Sequence, residues 1–335
     1  MLLRSVPKIN LAEIQEILPE HNYRFKRFVG VGGFGSVFLV RSEKYNQDFC
    51  VKIIKQEESE FNTTKNEATT LIRLCHPNII SMYEFFFDST HTSLYIVLEY
   101  CRGGSLRDLI EKEGPIRPPK LYSYCYQILK ALLHCHEQNI AHRDISPANI
   151  LLDNYGRPKL ADFGLSKKIK KGKSLKSFAG SLPFMAPEII SRQNTDPFLA
   201  DIWSLGITFY FLAFGRLPWA VRGMDELEFA IKSGVITFPP SADSEFCRLI
   251  RAMTTINPAR REPITKLLRY PIFESIKKYS YSAMCSSRSN TEKPLSQRIG
   301  VPPSFSNNKI LSNRYHLLRM PESRRGVNAP YTFAE

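Results

Sequence analysis

Residues His142 to Gly164 read H-R-D-I-S-P-A-N-I-L-L-D-N-Y-G-R-P-K-L-A-D-F-G, and this stretch constrains the chain more than any other. Asp144, Asn149 and Asp162 are set against two apolar, strand-like runs, Ile150-Leu151-Leu152 and Lys159-Leu160-Ala161. Carboxylates placed where two short strands leave a packed interior need a partner. A divalent cation shared with phosphate oxygens supplies one, because Mg²⁺ takes a few carboxylate or amide oxygens and completes its shell with water and phosphate. The stretch therefore proposes phosphoryl transfer. The competing reading of H-R-D alone is a turn whose Asp and Asn side chains bond their own backbone.

Upstream, Gly30-Val31-Gly32-Gly33-Phe34-Gly35-Ser36-Val37 follows an apolar, aromatic lead-in, Phe25, Phe28 and Val29. Glycine at 30, 32 and 35 lets backbone approach phosphate oxygens without a Cβ in the way. In a dinucleotide-binding fold a helix follows such glycines; here Ser36 to Val40 reads as a strand, so the pattern is a strand-turn-strand cover. The next strand, Phe49 to Ile54, buries a single ammonium, Lys52. Its candidate counter-charge is Glu67, on a helix expected from about Glu57 to Leu74 with Ala68, Leu71, Ile72 and Leu74 facing a core. The bland alternative is a snorkelling Lys52 and a solvated Glu67.

These motifs resemble, one after another, those of the eukaryotic protein kinases, serine/threonine type, closest to the calcium/calmodulin-dependent-like group. The resemblance implies that Asp144 accepts or orients the proton of the substrate hydroxyl, and that Asn149 and Asp162 hold Mg²⁺ against the phosphates of ATP. It also implies that Lys52, paired with Glu67, holds the α- and β-phosphates. Residues 30 to 37, Cys50 and Leu151 would line the nucleotide site. In Leu94 to Leu106, which resembles the kinase hinge, Leu98 is the gatekeeper and the backbone of Glu99 and Cys101 would bond the adenine edge. Asp201, in D-I-W-S-L-G, would bond the catalytic-loop backbone, and Arg261 would pair with Glu188 of A-P-E. Leu71, His142 and Phe163 fall at apolar spine positions of the family.

The resemblance covers residues 25 to about 274 and implies an α+β, bilobal kinase fold. A small antiparallel sheet with one helix (23–101) precedes a larger, mainly helical lobe (102–274). Residues 1–22 are expected to form an extension with one short docking helix, Leu11 to Leu18, stopped by Pro19. Residues 275–335 are expected to be a basic, Ser- and Pro-containing disordered tail. The 335 residues, 43% hydrophobic, suffice for such a core. No signal peptide is legible and no window is expected to approach a membrane span. A cytosolic or nuclear location follows, with no membrane or nucleic-acid partner. The seven cysteines lack paired metal-ligand spacing and read as reduced thiols.

Beyond Asp162-Phe163-Gly164 lie Lys167, Lys168, Lys170, Lys171, Lys173 and Lys176 with no acid between them. Such a run repels itself until an anion neutralises it. Ser177 matches the family's activation phosphosite, with Ser174 as runner-up. Phosphate there would bring about −2 charge within reach of Arg143 and the lysines, and would come from an upstream kinase.

Two departures bear on the substrate. Ser146 stands where serine/threonine kinases usually carry lysine, and with Ala148 it excludes the tyrosine-kinase arginine. Ser105 and Ala148 replace the acids that select upstream arginine. With a net charge of +14, an acidic or pre-phosphorylated protein substrate is the expectation. The competing function is an ATP-binding pseudokinase scaffold.

Overall fold

The computed structural model describes residues 11–32, 35–163, 167–168, 180–193 and 196–276. All belong to the first of two compact units, Met1–Ala283; nothing of the second, Met284–Glu335, is among them.

Helix α1 (Leu11–Glu20) carries Ile14 and Leu18 one turn apart, both fully buried. Sequence reasoning stops it at Pro19, but Pro19 lies inside the last turn. A proline there forfeits only one late hydrogen bond. The end comes at Asn22, whose φ of 63° turns the chain while its N–H donates to the Pro19 carbonyl at 3.0 Å.

Strands β1 (Tyr23–Gly32), β2 (Gly35–Ser42) and β3 (Gln47–Lys55) form an antiparallel meander. Helix α2 (Phe61–Leu71) follows, and β4 (Met82–Phe87) and β5 (Ser93–Glu99) complete a five-stranded sheet in the order β1-β2-β3-β5-β4. The period of two sorts its faces. Phe38, Val40, Phe49, Val51, Ile53, Tyr95 and Val97 form one buried cluster with Ile14 and Leu18 of α1, and Lys52, between Val51 and Ile53, falls on the other face. Burying the two α1 side chains contributes about 1.5–3 kcal/mol each. The expected helix from 57 to 74 is shorter: a 3-10 turn, Glu58–Glu60, precedes α2, and Ala68 and Leu74 are buried while Leu71 and Ile72 are half-buried. Four threonines and two asparagines between 62 and 70 are poor helix formers.

The second lobe begins with α3 (Leu106–Glu113), opened by a capping box between Ser105 and Asp108, and α4 (Lys120–Glu137). Short strands follow: β6 (Ile140–Ala141), β7 (Ile150–Leu152), β8 (Pro158–Leu160) and β9 (Lys167–Lys168). β7 pairs with β8 and β6 with β9. Helices α5 (Pro187–Ile190), α6 (Pro197–Phe214), α7 (Met224–Ser233), α8 (Ser244–Met253) and α9 (Ile264–Leu267) complete it. Ile128, Leu132, Leu205, Phe209, Leu249 and Met253 meet in its core. At Gly206 a Cβ would lie 2.9 Å from that of Met253, so glycine sets how closely α6 approaches α8.

One expectation needs correction. α6, 18 residues with mean hydropathy 1.4, is long and apolar enough to cross a membrane by length and composition. Twelve of its residues are buried, Asp201 among them. A core helix covered on every side is apolar all round.

Candidate active site

The catalytic-loop motif is fixed from beneath by α6. Asp201, 1% exposed, accepts the backbone N–H of His142 at 2.8 Å and of Arg143 at 2.7 Å, one on each oxygen. His136 Nε2 stands 3.0 Å from the same carboxylate. The His142 ring is buried: its Nδ1 accepts the Asp144 N–H at 3.3 Å, so Nε2 carries the proton donated to the Ala161 carbonyl at 2.9 Å. That bond ties the loop to the residue before Asp162, and Phe163 packs on the His142 ring at 4.8 Å. Arg143 and Asp162 hold φ values of 70° and 60°, a left-handed backbone costing a non-glycine residue about 1–2 kcal/mol. Burial lowers the Arg143 pKa from its ordinary value, and the charges of Asp201 and Glu67 oppose the shift.

Asp144 is held at both oxygens. Oδ1 accepts the Ser181 N–H at 2.9 Å and the Ser181 hydroxyl at 3.0 Å; Oδ2 accepts Asn149 Nδ2 at 2.9 Å. The same Nδ2 donates to the Asp144 carbonyl at 2.8 Å, which leaves the amide oxygen of Asn149 as the donor available to a cation. Gly180 makes this approach possible: its φ is 128° and a Cβ would sit 2.9 Å from the Arg143 carbonyl. Sequence reasoning missed Ser181 as a partner of Asp144.

Lys52 is 7% exposed and meets Asp162 Oδ1 at 2.5 Å. Glu67, the counter-charge expected for Lys52, lies exposed on α2, and its charge acts on Arg143. Above Lys52, Gly32 and Gly35 pair across the turn of the glycine loop, and Gly33 and Phe34 between them lie outside the described residues. At Gly35 a Cβ would come within 2.0 Å of the Ile53 carbonyl, so β2 crosses β3 with backbone against backbone. Gly30 has nothing within 4 Å of its Cβ position. Ser36 is buried, Val37 half-buried, and Val31, 56% exposed, presents an apolar side chain to the open.

The hinge forms the rear wall. Glu99 N–H donates to the Ser81 carbonyl at 2.9 Å. The Glu99 carboxylate takes Lys159 at 2.8 Å and the Ser81 N–H at 3.3 Å. Lys159, 7% exposed, was read only as part of an apolar run; the buried-ammonium argument applied to Lys52 finds it too. Leu98 lies opposite Cys50 in the β3–β5 register. Leu98 and Leu151 pack against a small cluster of Ile80, Cys101 and Ala161. Burial and the Glu99 charge push the Cys101 thiol up to about 12, and burial raises Cys50 to about 11, so both stay protonated.

Far along the chain, Arg261 meets Glu188 through two bonds, 2.8 and 3.1 Å, with both side chains buried. The proposed phosphosites Ser177 and Ser174, with Lys170, Lys171, Lys173 and Lys176, lie outside the described residues, as does 277–335.

The residues fit a magnesium nucleotide. Among the described residues no group of three His, Cys, Asp or Glu could hold a metal alone. Asp162 and Asn149 supply one carboxylate and one amide oxygen, the partial set that Mg²⁺ completes with phosphate and water. Lys52 supplies a cation, and the half-buried Val37, Cys50 and Leu151 supply apolar surface for a base.

Comparison with known proteins agrees. The family model described as protein kinase domain matches residues 23–273. Sperm motility kinase 2B of Mus musculus is 32% identical over 243 residues, 72% of this chain and 50% of that protein. CBL-interacting protein kinase 32 of Oryza sativa subsp. japonica is 33% identical over 253 residues, 73% and 57% respectively. The chain thus spans about half the length of the curated relatives it matches.

Proposed function

The chain belongs to the protein kinase family, and we propose that it is an active serine/threonine kinase that phosphorylates a protein hydroxyl. The observation that carries this reading is Asp144: both of its oxygens are held, by Ser181 and Asn149, beside a loop anchored on Asp201. A carboxylate fixed in this way takes or orients the proton of an acceptor hydroxyl as the new oxygen–phosphorus bond forms. MgATP supplies the phosphoryl group and carries off the broken bond's electrons as ADP. Asp162 and Asn149 would hold the metal, Lys52 the phosphates, and the backbone of Glu99 and Cys101 the adenine edge. Preference for a serine or threonine over a tyrosine is supported by Pro147 and the Gly180-Ser181 pair, which resemble the pattern of serine/threonine members of the family. A protein substrate rich in acids or phosphate is supported by the net charge of +14.

Ser146 favours a second reading, a nucleotide-binding scaffold without turnover. It is 2% exposed and replaces the lysine that would offset charge on the transferring group. Lys52, Asp144, Asn149 and Asp162, all retained, weigh against it.

Autophosphorylation with MgATP, compared between wild type and Asp162→Ala with the modified sites mapped by mass spectrometry, separates the two. Incorporation that the variant abolishes establishes the kinase, and phosphate on Ser177 supports an activating switch in that segment. Silence that persists after treatment with an upstream kinase and after Ser177→Glu, with MgATP still bound, establishes the scaffold.

A further inference from the structure

On the second lobe, Arg248 of α8, Lys266 of α9 and Arg269 just beyond it line a cleft of about 410 Å³ together with Glu262, Tyr270 and Pro271. None of the six belongs to the catalytic constellation. All three cations are exposed, and Glu262, the single acid of the lining, already receives the Tyr270 hydroxyl at 3.3 Å. Arg248 lies over the Tyr270 ring at 5.2 Å and is steadied by Glu245 at 2.6 Å. Among the described residues neither Lys266 nor Arg269 has an ion-pair partner.

We propose that this cleft docks a phosphorylated segment of a partner protein. A phosphate ester brings roughly −2 charge and three strong acceptor oxygens to one point. The guanidinium of Arg269 and the ammonium of Lys266, beside an Arg248 already paired with Glu245, set positive donors around a cleft of a few hundred Å³ that suit that charge and those acceptors. A lone carboxylate presents half the charge and two acceptors. Tyr270 and Pro271 give the floor an apolar side on which a residue flanking the phosphate rests. The site would hold a partner by a contact remote from Asp144, and binding requires no turnover, so its failure would leave the kinase reading untouched.

The test uses the full chain and three peptide libraries, each with a fixed central residue: phosphoserine, serine or aspartate. Fluorescence anisotropy at about 0.15 M salt, where exposed charges are screened beyond about 8 Å, reads the binding. The phosphoserine library should bind at least about tenfold tighter than either of the others, the effect of one charge-assisted hydrogen bond. Inorganic phosphate should compete. Lys266→Glu with Arg269→Glu should weaken binding by about tenfold to a hundredfold, and Lys266→Gln with Arg269→Gln by less. The thermal midpoint and phosphorylation of a generic peptide should be unchanged in both. Equal binding of the aspartate library, binding that survives charge reversal, or no peptide binding with capture by phosphatidylserine vesicles instead would each overturn the proposal.

Discussion

Ser181 reaches one oxygen of Asp144 twice, through its backbone N–H at 2.9 Å and its hydroxyl at 3.0 Å, while Asn149 holds the other oxygen. The carboxylate cannot rotate without losing a bond on one side, so on the proposed kinase reading its position toward an acceptor hydroxyl is set before substrate arrives. Ser181→Ala removes the hydroxyl bond and keeps the N–H. A hydrogen bond to a charged group contributes about 1.5–3 kcal/mol, so kcat should fall about tenfold to a hundredfold if that bond is realised in the transition state. The nucleotide KM and the thermal midpoint should hardly move, and Ser181→Thr should restore the rate. Steady-state kinetics decide it: an unchanged kcat in the alanine variant means that Asp144 needs no such brace.

The pair between Glu188 and Arg261 is a matter of stability. Both side chains are buried, and Arg261 also donates to the Leu199 carbonyl at 2.6 Å and to Thr255 at 3.1 Å. Removing one partner strands a buried charge, at a cost of about 3–5 kcal/mol. Glu188→Ala should lower the urea midpoint by that equivalent, whereas Glu188→Met combined with Arg261→Met should cost less than the single change. Denaturation of the three chains measures both, and a double variant no better than the single one would contradict the desolvation argument.

Where a residue's partner is its motif, the chain was legible. Asp201 under the catalytic loop and Arg261 on Glu188 were both read from the sequence, and both bonds are formed. The two lobes were legible through the resemblance to the kinase motifs, and the strand-like runs of β2 and β3 and the helical spacing of α4 agree with it. What was not legible depends on geometry between segments. Lys159 is one lysine in a short run, and only the fold brings Glu99 to it across 60 residues. Lys52 meets Asp162 at 2.5 Å, a contact that the reading of Glu67 as its counter-charge did not include. α6 was underread for the opposite reason: its composition alone does not distinguish a buried core helix from a spanning one.

Lys159 therefore deserves its own test. Its ammonium is the partner of Glu99, whose N–H and carboxylate both fix the hinge to Ser81. Lys159→Met keeps the length and apolar stem and removes the charge, leaving the largely buried Glu99 without its cation. The hinge backbone should loosen, raising the KM for ATP severalfold while kcat, set at Asp144, changes little. Glu99→Gln should partly rescue Lys159→Met by removing the stranded charge. Nucleotide titrations of the four chains read this double-mutant cycle, and additive effects would show that the pair does not act as a unit.

His76 gives the fold a pH dependence of its own. Burial, then the positive surroundings of His134, Lys130 and Lys159, lower its pKa from 6.5 to about 4. The geometry agrees, since Nδ1 accepts the Asn78 N–H at 3.1 Å and protonation would end that bond. In the unfolded chain the imidazole takes its proton near pH 6.5, but in the folded chain only near 4. Between those values the unfolded state binds more protons, so stability falls as pH drops through the window and levels off below it. Asp48, Asp88 and Asp153, each held below the usual carboxylate range by hydrogen bonds that outweigh burial, add a further loss at lower pH. That loss is common to any His76 variant and cancels in a comparison. His76→Gln cannot titrate, so the difference in unfolding free energy between wild type and variant should be flat above about pH 7 and move against the wild type between 6.5 and 4. Urea denaturation across that range measures the difference directly. Parallel curves would mean that the folded His76 takes its proton at its ordinary value, with the Asn78 bond too weak to resist it.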